Sequence, residues 1–326
     1  MALNPLNEAH ALQIQAGTLG RKAGHDFEDT IAKRINEFRY PMQVSNSGNE
    51  HIFNGDPANL LLHYIGIREN IKNLTAASAI STGALATSEE GKQWLLINGA
   101  NVSRCKSDLV IILSTDDGRT ITIGVSTKQC NTATPTNAQL YFTTARGFSS
   151  LLQSNGILVS NIAIKALRQF CGDQGFRPAD ESTSLLGRLI DPRRYFWEEI
   201  DAVGRNEWEK IFATYQDEIS YLLLQKAYIE DVFVPEYLLH KTKRAASWQV
   251  TEVAIYSINE LVTLSRAYQG FTTKPYSVKK GTYKDPSGVI HLAPRFGVIQ
   301  MQRGGQQQHP EQLQFNLEAG YFYKIE

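Results

Sequence analysis

The spacing of apolar residues changes along this chain, and each change marks an element. Between residues 23 and 38, Phe27, Ile31, Ile35 and Phe38 recur at i, i+4, i+8 and i+11, the stripe of one helix face. Tyr40 to Asn54, punctuated by Gly and Asn, reads as loop. Asp56-Pro57 then opens a second helix through Leu60, Leu61, Leu62, Tyr64 and Ile65, with Asp as N-cap and Pro at the first helical position. The pattern shortens after residue 106. Leu109 to Leu113 is a continuous, β-branched-rich apolar run, and Thr120 to Val125 alternates. Between them, Ser114-Thr115-Asp116-Asp117-Gly118-Arg119 contains an Asp-Gly pair, a hairpin signal. Strands this apolar do not suit a solvated hairpin. Asp108 at the entry and Lys128 at the exit are therefore expected at the rim of a core sheet.

Further along, Ala76 to Gly91 is small and polar and reads as helix or loop, while Leu140 to Leu152 reads as a helix with Arg146 on its polar side. Gly156 to Ala166 reads as a strand or a strand-to-helix transition. A long helical zone is expected from Asp191-Pro192 to about Lys243, broken near Pro235, with Tyr195, Phe196, Trp208, Phe212 and Tyr215 as core aromatics. From Trp248 the chain turns β-like: strands are expected at Val250–Tyr256, Val289–Leu292, Phe296–Gln302, Leu313–Leu317 and Tyr321–Ile325. The sum is an α/β protein, a mixed central sheet flanked by helices with a helical insertion and a β-rich C-terminal part. The expected divisions are 1–185, 186–245 and 246–326.

Composition narrows the function. Lys plus Arg and Asp plus Glu number 33 each, so there is no global basic field, and a polyanion would need a locally basic cleft. Three cysteines with no CxxC spacing argue against a disulfide framework or a zinc site and fit a reducing compartment. The first residues lack a signal-peptide pattern, and no apolar run reaches the roughly 20 residues of a membrane span. A soluble cytoplasmic protein with no membrane partner is expected.

Glu28 borders the first helical stripe, either as an acid directed into a cleft or as a first-turn residue favoured by the helix dipole. Taken in order, GHDFEDTIAKRI at 24–35, KSDLVIIL at 106–113 and ITIGVSTKQ at 121–129 place a helix Glu, a strand-entry Asp and a strand-exit Lys. This arrangement resembles the PD-(D/E)xK nuclease superfamily, and within it a type II restriction endonuclease. The resemblance implies a restriction-endonuclease-like fold and a Mg2+-dependent phosphodiester hydrolase acting on double-stranded DNA as a homodimer. Asp108 would be the central metal ligand, and Glu28 would contribute a carboxylate directly or through a metal-bound water. Lys128 would orient or deprotonate the attacking water and stabilise developing charge. Two positions depart from the pattern. Ser107 replaces the Pro that shapes the chain, and Ser126 replaces the second acid, which removes a negative charge. Glu28 or Asp116 would have to compensate, and a nuclease-fold DNA binder without cleavage is the alternative.

Candidate DNA contacts follow from amide chemistry. Gln129 either hydrogen-bonds a phosphate or simply ends the strand. Gln300, Gln302, Arg303 and Gln306 lie in a C-terminal run with Gly304 and Gly305 that is either a base-reading stretch or an ordinary hairpin with a polar outer face. Gln pairs bidentately with adenine and Arg with guanine in the major groove. Lys241-Thr242-Lys243-Arg244 and Lys279-Lys280 are basic clusters suited either to phosphates or simply to solvent.

Overall fold

The structure, a computed structural model, describes residues 25–45, 51–82, 95–97, 100–102, 105–180, 194–225, 233–276, 290–303 and 312–325. In chain order the first elements are a helix over residues 25–37 (α1), β1 (Met42–Gln43), β2 (Ile52–Gly55), α2 (Pro57–Arg68) and β3 (Asn73–Ser81). Next come β4 (Leu95–Ile97), β5 (Ala100–Val102), β6 (Leu109–Thr115), β7 (Thr120–Gln129), β8 (Ala138–Thr144), α3 (Ala145–Ser154) and α4 (Asn161–Cys171). The last group is α5 (Ala202–Thr214), α6 (Gln216–Gln225), β9 (Pro235–Lys241), β10 (Thr251–Ser257), α7 (Ile258–Ser265), β11 (Phe271–Tyr276), β12 (His291–Phe296), β13 (Ile299–Arg303), β14 (Gln312–Leu317) and α8 (Ala319–Phe322).

The chain divides into two units, Met1–Thr136 with Leu224–Leu261, and Asn137–Leu223 with Val262–Glu326. These units cut across the boundaries expected at 185 and 245. The first holds a seven-stranded mixed sheet in the order β1-β3-β6-β7-β9-β10-β2. Only β7 and β9 run parallel within it. A parallel pair needs a long crossover, and the chain from 130 to 234 is that connection.

Helices flank this sheet. The α1 stripe works as its spacing implies, since Phe27, Ile31 and Ile35 are buried in one core with Leu61, Leu62 and Ile65 of α2 and with Leu109, Ile111, Ile123, Val125, Leu239 and Ile255 of the strands. Each such side chain contributes about 1.5–3 kcal/mol on burial. Asp56 ties the two helices together. Its carboxylate caps α2 by accepting from Ala58 N at 2.9 Å, and it also accepts from Arg34 Nε of α1 at 2.8 Å and Trp248 Nε1 at 2.8 Å. Asp56→Ala removes the cap and strands a part-buried guanidinium. We expect a loss of about 3 kcal/mol, read as a fall in the urea midpoint at unchanged m-value.

The second unit is built on a five-stranded antiparallel sheet, β11-β12-β13-β14-β8. Its core is aromatic, as expected for Trp208 and Phe212. The Phe212 and Phe296 rings stack at 4.6 Å, and Phe148 lies 4.6 Å from Phe315.

Several elements differ from the expectation. Residues 73–81, which overlap the start of the stretch from Ala76 read as helix or loop, form β3, which pairs with β6 along its length. The segment read as one helix from 140 is strand β8 up to Thr144, whose side chain then caps α3 by accepting from Gly147 N. Ile157–Ala166 contains no strand; Ser160 caps α4 instead. Within the zone expected to be helical up to about Lys243, residues 235–241 are instead a central strand, with Pro235 tolerated as its first residue. Phe296–Gln302 is two strands joined at Gly297-Val298, where Gly297 at φ 52° turns the chain. Residues 319–322 are helical, with Phe322 N donating to the Glu318 carbonyl. Among the described residues, no helix is long and apolar enough to cross a membrane, and no two of Cys105, Cys130 and Cys171 form a disulfide.

Candidate active site

Asp108 is placed by its backbone before its side chain acts. Its N–H donates to the Val125 carbonyl at 2.9 Å, and its carbonyl accepts from Thr82 N at 3.0 Å, so it is held between β3 and β7 at the start of β6. The carboxylate then gathers the exit of β7 onto one oxygen. Asp108 Oδ2 accepts from Thr127 N at 2.7 Å, Ser126 Oγ at 3.1 Å and Lys128 Nζ at 3.2 Å. Lys128 Nζ also donates to Ser126 Oγ at 2.9 Å and to the Thr127 carbonyl at 2.6 Å. Ser126 and Lys128 share a strand face because side chains alternate along β7. The Asp108 and Lys128 side chains keep 27% and 19% exposure, enough to be reached from solvent.

Glu28 arrives from the other side. Thr127, on the face that packs against α1, donates its hydroxyl to Glu28 Oε1 at 2.9 Å. Thr127 thus links the two carboxylates, Asp108 through its backbone and Glu28 through its side chain. Glu28 Oε2 is buried with no hydrogen bond, 3.4 Å from His25 Nδ1. Burial and then the negative charge of Asp108 raise the Glu28 carboxyl from 4.5 to about 8, against the opposing pull of Thr127 and Lys128. On the neighbouring parallel strand His240 pairs in register with Lys128. It is buried, and desolvation with the Lys128 charge lowers it to about 3, so the imidazole beside the lysine is neutral.

The Glu28 shift has a measurable consequence. Between pH 4.5 and 8 the folded chain keeps a proton that the unfolded chain releases. The stabilisation is therefore complete below pH 4.5 and lost as pH rises through 8. In chelator, the unfolding free energy of the parent should decline across this window with a limiting slope of about 1.4 kcal/mol per pH unit from this group. Glu28→Gln should be flatter. Parallel profiles for the two proteins would contradict the assignment.

Among the described residues no group of three or more His, Cys, Asp and Glu side chains could hold a metal. A hard cation would therefore rest on two carboxylates, Asp108 and Glu28, with hydroxyl, carbonyl and water oxygens completing its shell. The donor set fits such an ion. All of its atoms are oxygens, one buried carboxylate oxygen is unpartnered, and a neighbouring positive charge would relieve the repulsion that raises Glu28.

The remaining candidates are placed differently. Asp116 lies in the turn at the far end of the seven-residue β6, about 26 Å along the strand from Asp108. It accepts from Asn73 Nδ2 at 2.6 Å and does not stand in for the missing acid. Ser107 does more than shape the chain, since its buried hydroxyl donates to the Phe233 carbonyl at 2.7 Å and tethers the approach to β9. Gln129 ends β7 with its Nε2 buried and unbonded. Lys243 is paired with Glu252 at 2.6 Å, and Lys241 donates to Asn131 at 3.0 Å.

In the second unit, Gln300 and Gln302 lie on the face of β13 opposite the buried Met301. Gln300 accepts from Asn137 Nδ2 at 2.9 Å. The Arg303 guanidinium lies 4.7 Å over the Phe196 ring. Gln306, Gly304, Gly305 and Lys279-Lys280 lie outside the described residues.

Sequence reasoning missed Thr127. Thr127 carried a signal. Strand alternation alone turns it away from Ser126 and Lys128, toward whatever covers the other face.

Among solved structures, the chain is similar to restriction endonuclease MspI in complex with its cognate DNA, with a TM-score of 0.45 and 11% sequence identity over 79% of this chain and 78% of that chain. At that identity the likeness transfers no residue role. No protein-family model and no curated protein matches the chain.

Proposed function

We propose that this protein is a type II site-specific endonuclease that hydrolyses phosphodiester bonds of double-stranded DNA with Mg2+. The observation that carries the reading is the meeting of Ser126, the Thr127 N–H and Lys128 on one oxygen of Asp108, with a second carboxylate, Glu28, attached through Thr127. Bound Mg2+ supplies charge neutralisation at the scissile phosphate and a more acidic water. Asp108 and Glu28 would hold it, with the Ser126 hydroxyl beside them. Lys128 orients the attacking water and offsets charge that develops on the phosphate. Gln300 and Gln302 are the amides offered to bases, with Gln306 further along the same run, and Gln129 is offered to a phosphate. Arg303, engaged over Phe196, braces β13 in this reading. A homodimer would let each subunit cut one strand of a palindromic site.

A second reading, a DNA binder of the same architecture without cleavage, is favoured by the way Lys128 spends its donors on Asp108, Ser126 and the Thr127 carbonyl. Digestion of phage DNA with Mg2+ separates the two. Discrete bands support the endonuclease. A gel shift without cleavage in any divalent metal leaves the binder, and neither result leaves Asp108 and Lys128 as a structural ion pair.

A further inference from the structure

A second group of cations lies in the second unit, on residues the candidate active site does not use. α3 presents Arg146 and Ser150 at i and i+4, and α4 presents Asn161, Lys165 and Arg168 at i, i+4 and i+7. Each set therefore falls on one helix face. With Phe176 these residues line a cavity of 370 Å3 between the two helices.

The charges around this cavity are unbalanced. Arg168 Nε donates to Asp173 Oδ2 at 2.7 Å, and its guanidinium lies 3.7 Å over the Phe176 ring, so both partners hold it in place. Arg146 and Lys165 are exposed and have no carboxylate partner among the described residues. Among the described residues no acid lines the cavity. Asp173 is taken by Arg168, and Glu207 accepts from Ser160 N at 2.7 Å at the start of α4, which leaves Arg146 and Lys165 as the cations free to meet an anion. Arg146 also sits in the first turn of α3, where the backbone dipoles add positive potential rather than offset it.

Cations left uncompensated across one cavity suit an anion that takes several donors at once. A phosphate accepts from a guanidinium in a planar fork and from an ammonium as a point charge, and Ser150 and Asn161 add neutral donors. The volume is at the small end of ligand pockets, which run from about 300 to 1,000 Å3. It accommodates a phosphate with part of one nucleotide, and Phe176 provides an apolar wall.

The geometry points to a phosphate-binding pocket between α3 and α4 that takes a nucleotide phosphate, either of a free nucleotide or of the DNA backbone. The backbone source rests on the endonuclease reading; the free-nucleotide source does not.

The test uses the full chain and the variants Arg146→Gln, Lys165→Gln and their combination, with Lys165→Arg as the charge-retaining control. Calorimetric titration with dAMP and with inorganic phosphate reads the free source. The salt dependence of duplex binding, in chelator, reads the backbone source. If the ligand is a free nucleotide, the double variant binds dAMP at least about tenfold more weakly and Lys165→Arg restores binding, as loss of charge-assisted hydrogen bonds requires. If the ligand is the backbone, the slope of log K against log salt falls by about 0.9 for each phosphate contact removed, about 1.8 in the double variant. Binding of dAMP by a chain that ignores DNA would keep the pocket and end the endonuclease reading. A folded double variant unchanged in both measurements would overturn the pocket.

Discussion

Asp108→Ala and Lys128→Ala are each expected to lower Mg2+-dependent DNA cleavage about a thousandfold, with duplex binding at low salt affected far less. The magnitude follows from the kind of group removed. A preorganised charge aimed at developing charge, or a positioned proton-transfer group, is worth about 10²–10⁴ in rate. Asp108 carries a double burden, because its Oδ2 also holds Ser126, the Thr127 N–H and Lys128 in their arrangement. Asp108→Asn separates the two roles. It keeps an acceptor for Thr127 N but loses the charge, so it should be nearly as inactive as the alanine variant while melting closer to the parent. Cleavage rates on a plasmid substrate, paired with melting curves, provide the check. Variants that still cut DNA and merely melt earlier would show that Asp108 and Lys128 form a structural ion pair and nothing more.

The second large effect concerns Gly124, at the seam of the mixed sheet. Gly124 pairs with Val110 of β6 on one side and with Pro235, the first residue of β9, on the other. A Cβ there would overlap the Ser107 hydroxyl and the Val234 carbonyl oxygen. The first is buried and committed to the Phe233 carbonyl, and the second is backbone, so neither can rotate away. Gly124→Val should therefore push β9 from β7 and destabilise the protein by about 3 kcal/mol or more, at the upper end for overpacking. Equilibrium urea unfolding would measure it. Because Asp108 N donates to the adjacent Val125 carbonyl, surviving folded protein should also cleave poorly. A variant as stable as the parent would mean that the seam opens without cost.

What was legible in the sequence was local. The α1 stripe, the Asp56 cap of α2 and the β6–β7 hairpin each depend on residues within one or two turns of chain or across a tight turn, where spacing and turn chemistry decide the outcome. Asp108 and Lys128 were readable as neighbours for the same reason, since a hairpin brings the start of one strand to the end of the next. Where the pattern suited both periods, the reading failed. Leu140, Phe148 and Leu152 fit a helix as well as a strand followed by a helix, and the Thr144 cap decides between them. Pro235 looked like the end of a helical zone because proline lacks an N–H. It begins β9, where the first strand residue can do without a ladder N–H, and its partner Gly124 leaves room for the Val234 carbonyl just before it.

By itself, then, the sequence determined the α1 and α2 faces, the central hairpin and the pair of residues at its open end. Tertiary structure decided the rest. The burial that raises Glu28 depends on which strand α1 covers, and that strand presents Thr127. The neutral state of His240 depends first on its burial and then on the charge of a parallel neighbour more than 100 residues away in sequence. The Arg146, Lys165 and Arg168 cluster arises only when two helix faces pack together. Desolvation and charge coupling act through space, over distances that residue spacing does not encode.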